Sequence, residues 1–219
     1  ESQPGWMLLS YGKKVSVSSS LEGYPAENIV DEDARTAWVA QSNRDMEWAQ
    51  VDLQRLSSIH AIQVNFDEYG ANQKGAVSGV YQSYLIYASV NGEDWSLVVD
   101  YGTKKTDTPH DYIEFEEPFK ARYIKLQNKE YMVSENFSVR DLRIFGKGQG
   151  STPRAVNDFT VERDEADPCK ARLCWEAVPD AQGYIVRYGI AGDKLYNNFQ
   201  VMGENTLEIG SLNKGVAYY

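Results

Sequence analysis

Histidine and cysteine are scarce in this 219-residue chain, with two of each. Neither His60 nor His110 stands at a spacing that ligates zinc or completes a Ser-His-Asp triad, and no HExxH segment occurs. Both histidines read as structural or surface residues, and catalysis by this chain is not expected. Cys169 and Cys174 lie in CKARLCW. On a strand their α-carbons would be ~16 Å apart, against the ~7 Å limit of a disulfide, so they are expected not to pair with each other. Positive charge is also in deficit: 22 basic against 32 acidic residues give a net charge of −10. Phosphate would repel such a chain, which argues against nucleic acid and anionic membrane as partners. No apolar run approaches the ~18 residues of a membrane helix, so no membrane insertion is expected. The opening ESQPGWMLLSYGKK lacks a basic stretch followed by an apolar one, so a secretory signal is absent or already removed.

What is plentiful is aromatic and β-forming sequence. Hydrophobic residues make up 42% and aromatic residues 12% of the chain, including fifteen tyrosines and five tryptophans, enough for real cores. EWAQVDL (47–53) alternates, with Ala49, Val51 and Leu53 on one face, and SIHAIQVNF (58–66) is a longer run of the same type. YQSYLIYASVNGEDWSLVVDY (81–101) reads as two strands joined by a type I′ turn at Asn91-Gly92. DYIEFEEP, ARYIKLQN and SVRDLRIFG add three more. The expectation is an all-β, antiparallel sandwich. Residues 26–36 read as a loop or one helical turn. GKGQGSTPRA (146–155) breaks the apolar periodicity and reads as a linker.

NIVDEDARTAW (28–38) crowds Asp31, Glu32 and Asp33 into a segment otherwise suited to packing. One reading is a solvated turn in which Asp31 caps a short helix. The other is a hard-cation site, in which Asp31, Asp33 and the Thr36 hydroxyl wrap one ion with backbone carbonyls, offsetting their mutual repulsion. An EF-hand is excluded, since Arg35 occupies a ligand position and the turn glycine is missing.

The run SSSLEGYPAENIVDEDARTAW, with EWAQVDL, ARYIKLQN and SVRDLRIFG, resembles the discoidin fold over residues ~10 to 147. This is the coagulation-factor C-type domain, also known as the family 32 carbohydrate-binding module, a galactose-binding-like jelly roll. The resemblance implies one structural calcium. Its ligands would be the carbonyl of Asn28, the Asp31 carboxylate, Asp33, the hydroxyl and carbonyl of Thr36, the Arg140 carbonyl and the Asp141 side chain, stapling the first loop to the last strand. Two departures stand out. Glu32 replaces the usual glycine, tolerable only with a negative φ, and Asp141 replaces the commoner, longer glutamate.

The tail from residue 155 resembles an immunoglobulin-like fibronectin type III domain through Trp175 in strand B, Tyr184 and Tyr188 in strand C, and Leu212-x-x-Gly215-x-x-Tyr218. Tyr218 would be the corner tyrosine bonding back to upstream backbone. Strands F and G are mostly missing, which predicts a fragment of a longer protein with an exposed edge prone to poor order, swapping or crystal contacts. The expected division is a lead-in (1–9), a discoidin-like sandwich (10–147), a linker (148–154) and an incomplete fibronectin domain (155–219).

WMLLSYGKKV, PFKARYIKLQN and YGIAGDKLYNNFQV together resemble the C-terminal region of secreted bacterial family 43 glycoside hydrolases. That implies a secreted or cell-surface protein with an N-terminal catalytic domain in the same polypeptide. The implied function is a non-catalytic carbohydrate-binding module. Aromatic faces on loops stack on sugar C–H surfaces while Asn and Arg bond hydroxyls. The loops supply Tyr24, Asn43, Arg44, Tyr69, Asn72, Tyr131 and Asn136, and the long loop 67–80 is a natural functional element. The alternative is a scaffold that docks on the catalytic domain without binding sugar, with the apolar Trp6–Leu9 run leaving a neighbour's surface.

Overall fold

The structure is a computed structural model that describes residues 5–71, 79–149, 154–179, 181 and 183–219. Two compact units divide between Gln149 and Gly150. In the first, β1 (Met7–Leu8), β2 (Lys14–Val17) and a 3-10 turn (Ala26–Val30) precede β3 (Trp38–Val39) and β4 (Trp48–Phe66). Then come β5 (Gln82–Ser89), β6 (Ser96–Tyr101), β7 (His110–Tyr131) and β8 (Ser138–Gly148). All pairings are antiparallel, in the order β1-β8-β4-β7-β5-β6, with β2 on β4 and β3 on β8.

Two expected pairs of strands are single long strands. EWAQVDL and SIHAIQVNF are both β4, while DYIEFEEP and ARYIKLQN are both β7. Each bends where the ladder lapses: residues 53–56 of β4 drop out between the pairs Asp52–Tyr123 and Ser57–Ala121, and Gln54 turns with φ 67°. Before the bend β4 pairs with β2 and the C-terminal half of β7; beyond it, with β8 and the N-terminal half of β7. One continuous ladder thus doubles back as two layers. Their facing sides bury Val51, Ile59, Ile62, Val64, Ile86, Ile124, Leu126 and Ile144. At the crowded crossing of β8 and β4, a Cβ on Gly146 would lie 2.0 Å from the Ser58 carbonyl oxygen, so only glycine fits there.

Two sequence expectations need correction. Residues 7–9 are not a lead-in: β1 pairs with β8, Leu8 and Leu9 are buried, and Trp6 stacks on His60 at 4.9 Å. The apolar run finds its cover within this unit. Nor is Asn91-Gly92 a type I′ turn, because of the two only Gly92 has positive φ. The Asn91 side chain accepts from the backbone N–H of Glu93 and Asp94 at 3.0 and 2.9 Å, opening the connection into a longer Asx-turn loop.

The second unit packs a three-stranded sheet and a two-stranded one around Leu173, Trp175, Val201 and Ile209. The first sheet is β9 (Thr160–Arg163), β10 (Ala171–Cys174) and, on the other side of β10, β13 (Thr206–Ile209). The second is β11 (Gly183–Tyr188) with β12 (Asn197–Met202). Trp175 meets Tyr184 edge-on at 5.2 Å, and Asn213 N–H donates to the Tyr218 hydroxyl at 3.1 Å. Both cysteines are free thiols.

Candidate functional site

One end of the first sandwich gathers four loops, and polar side chains knit them into one surface. Asn43 Nδ2 donates to the Ser134 carbonyl at 2.8 Å, and Asn136 Nδ2 to the Ala40 carbonyl at 2.8 Å. The fully buried Asn128 donates to the carbonyls of Asn43 and Arg44 at 2.8 and 2.9 Å. Gln41 Nε2 reaches the Ser20 carbonyl, and the Trp38 indole N–H reaches the Ser19 carbonyl at 2.9 Å. Arg140 pairs with Asp67 at 2.5 Å. The bonds to carbonyls satisfy backbone groups that a loop would otherwise leave unpaired, and the Arg140–Asp67 pair adds an ionic tie.

Glu47 ties the Ser18-Ser19 segment to the loop that carries Ser42. Its carboxylate accepts from the hydroxyls of Ser18, Ser19 and Ser42, the last two at 2.9 and 2.6 Å. Partial burial pushes its pKa up, but the three hydroxyls outweigh that and hold it below the ordinary 4.5.

Of the residues expected to touch sugar, Tyr24 and Tyr69 come together, their rings 4.9 Å apart and edge-on. Both stay half-exposed, and Arg44 is exposed on the 40–47 loop of the same end. Asn43 and Asn136 are half-buried and spend their amide N–H groups on bracing. Asn72 lies outside the described residues. Tyr131 is corrected outright: only 1% exposed, it packs on Phe137 and Phe66, and its hydroxyl bonds the Asp67 carbonyl and the Ser138 side chain. The cause is a bulge. Ser83 pairs with Glu130 and Tyr84 with Asn128, so Lys129 is an extra residue that flips the alternation and turns Tyr131 inward. Met132, 44% exposed, takes the outward position instead.

The acidic loop packs beside these elements. Asp31 Oδ1 accepts from Asp33 N–H at 2.9 Å, and the Thr36 hydroxyl lies 2.8 Å from Asp31 Oδ2 and 3.0 Å from the Asp33 carbonyl. Three oxygens converge around a single hydroxyl proton, a donor set suited to a hard cation. Asp33 contributes its carbonyl only, because its carboxylate is turned to Arg35 N–H and Nε. Asn28 and Arg140, expected to ligate through their carbonyls, use their side chains on the Ala37 carbonyl and on Asp67, and the Asp141 carboxylate accepts from the Asn65 amide. Among the described residues, no three acidic, histidine or cysteine side chains converge on one point. Glu32 has φ +62°, against the negative value its tolerance was expected to require. The left-handed backbone costs about 1–2 kcal/mol. Its carboxylate meets the Arg143 guanidinium at 3.1 and 2.9 Å, so a side-chain pair staples this loop to β8.

Residues 14–141 match the F5/8 type C domain family. The chain belongs to that family. Lactadherin from Rattus norvegicus is 33% identical over 110 residues, covering 47% of this chain and 25% of lactadherin; the Mus musculus protein is 32% identical. The chain thus spans about a quarter of the length of these relatives. Among solved structures, chitosan-binding module 1 of a Paenibacillus chitosanase/glucanase superimposes with TM-score 0.54 at 20% identity, covering 64% of this chain and 99% of the module. The family 32 module of Clostridium perfringens NanJ, in complex with galactose, gives TM-score 0.51 at 18% identity, covering 64% and 98%. These superpositions establish the jelly-roll fold. Among the described residues no helix is long and apolar enough to cross a membrane.

Because the Glu47 pKa is depressed, its contribution to stability is present above the ordinary value and lost as pH falls through the lowered one. Glu47→Gln is expected to lower the melting temperature of the first unit at pH 7, and the gap from wild type should close below about pH 4. Melting curves at pH 7, 5 and 3.5 check this; a gap constant across that range contradicts it.

Proposed function

We propose that this chain is a non-catalytic, carbohydrate-binding accessory region of a secreted glycoside hydrolase, with the sugar held at the knitted loop end. The observation that carries the reading is the Tyr24–Tyr69 pair. Two half-exposed rings are set against each other on separate loops of an F5/8 type C sandwich, and Arg44 is an exposed donor on another loop of that end. Pyranose rings present C–H faces to such aromatics and hydroxyls to such donors. Family 32 modules solved with galactose and chitosan-binding modules solved with chitotriose share the fold, which supports a glycan as ligand. The extracellular setting and the attached catalytic domain rest on the resemblance to family 43 hydrolases.

In this reading the second unit is an incomplete fibronectin type III domain serving as a spacer. The three-plus-two strand arrangement around Trp175, and the Tyr218 hydroxyl accepting from Asn213 N–H, support it. So does Tyr219, which exchanges two backbone hydrogen bonds with Gly189 just beyond β11. The scaffold alternative has less to stand on, since Leu8 and Leu9 are buried inside the first unit.

The acidic loop is proposed to hold calcium through Asp31, Thr36 and the Asp33 carbonyl. The ion would order the loop and take no part in any reaction.

Two measurements test these readings. In affinity electrophoresis against galactan, arabinan and xylan, wild type is retarded by at least one polymer and Tyr69→Ala loses that retardation; a folded wild type retarded by none overturns the binding reading. Chelator should lower the melting temperature of the first unit, and added calcium should restore it. A melting temperature indifferent to both removes the metal.

A further inference from the structure

The layer formed by β2, the first half of β4, the second half of β7, β5 and β6 has a solvent face fixed by register. Ser16, Gln50, Lys125, Tyr87 and Leu97 stand opposite one another on five successive strands. Directly opposed residues share a face. The adjacent row of Val15, Val51, Ile124 and Ala88 belongs to the core, so the Lys125 row points outward. At about 4.8 Å per strand it is about 19 Å wide.

At its centre the Lys125 ammonium lies 3.8 Å from the Trp95 ring centroid and 5.3 Å from that of Trp48. No carboxylate pairs with it among the described residues. Partial burial lowers its pKa, as expected for an ammonium withdrawn from water without a counter-ion. In a chain of net charge −10, that is an unusual place to leave a cation unpaired. The carboxylates on this face do not serve it. Asp52 is taken by Arg122 through two bonds of 2.8 and 2.9 Å, and Asp100 stands opposite Leu85 at the outer edge, accepting from Gly102 N–H. Lys14, exposed and opposite Asp52, adds a second cation.

The arrangement suits a ligand that is anionic and also presents flat C–H faces. The two indoles hold the lysine head in place before a ligand arrives, so little side-chain freedom is lost on binding. A carboxylate meeting Lys125 leaves its own sugar ring over the exposed parts of Trp48 and Trp95, with the Gln50 carboxamide and the Tyr87 hydroxyl within the same row for ring hydroxyls. We propose that this sheet face is a second glycan-binding surface, separate from the loop end, which takes uronic-acid polysaccharide through Lys125.

Native-gel affinity electrophoresis of the 219-residue chain in polygalacturonate tests this. Wild type is expected to be retarded, less so as salt is raised. Lys125→Gln and Trp95→Ala should each weaken binding about tenfold or more, while Tyr69→Ala leaves it unchanged. Lys125→Gln keeps most of the side-chain stem, and its melting curve verifies that the fold is intact. The proposal is overturned if polygalacturonate does not retard wild type, if Lys125→Gln is retarded equally, if Tyr69→Ala abolishes the effect, or if polyglutamate competes as well as polygalacturonate.

Discussion

The first unit depends on the bends in β4 and β7. Both strands run through the lapse in their shared ladder, so the same pair of chain segments supplies the centre of each layer. The apolar residues of both halves of β4 face the same interior. Burial of this kind is the dominant favourable term in folding. Here its direction is set by where the hydrogen-bond ladder lets go, with Gln54 taking the left-handed backbone that a tight change of direction demands.

The doubled ladder presents two kinds of surface. At one end the connections between strands crowd together, and the chain meets the demand of their buried polar groups with Asn43, Asn128, Asn136 and Glu47. Those bonds remove side chains from the pool available to a ligand and hold the remainder still. Tyr24, Tyr69 and Arg44 are among the side chains left outward. On the broad layer the strands set the spacing of Trp48 and Lys125, and Trp95, just before β6, brings its ring to the Lys125 ammonium.

Much of this was legible in the residues. Period-two alternation marked the strands, and the D-x-x-x-x-T-x-W run marked the loop where Asp31 and Thr36 meet and Trp38 anchors the core. Other features depended on contacts distant in sequence. Asn43 and Asn136 look like ligand-binding loop residues until the carbonyls opposite them, about ninety residues away along the chain, are in place. Tyr131 looked outward because a one-residue bulge at Lys129 leaves no mark in composition. Asn91-Gly92 suggested a tight turn, but the asparagine side chain found backbone N–H groups of its own. Glu32 at positive φ ran against local preference, and its partner Arg143 lies 111 positions away.

Bracing of the loop end is proposed to leave one ligand-facing set. Backbone amide chemical-shift mapping of the labelled chain during titration with galactan oligosaccharides tests it most directly. The account predicts that perturbations cluster at residues 21–24, 44, 69–71 and 132. Saturable perturbations centred instead on β9 to β13, or none anywhere as the sugar concentration is raised, would contradict it.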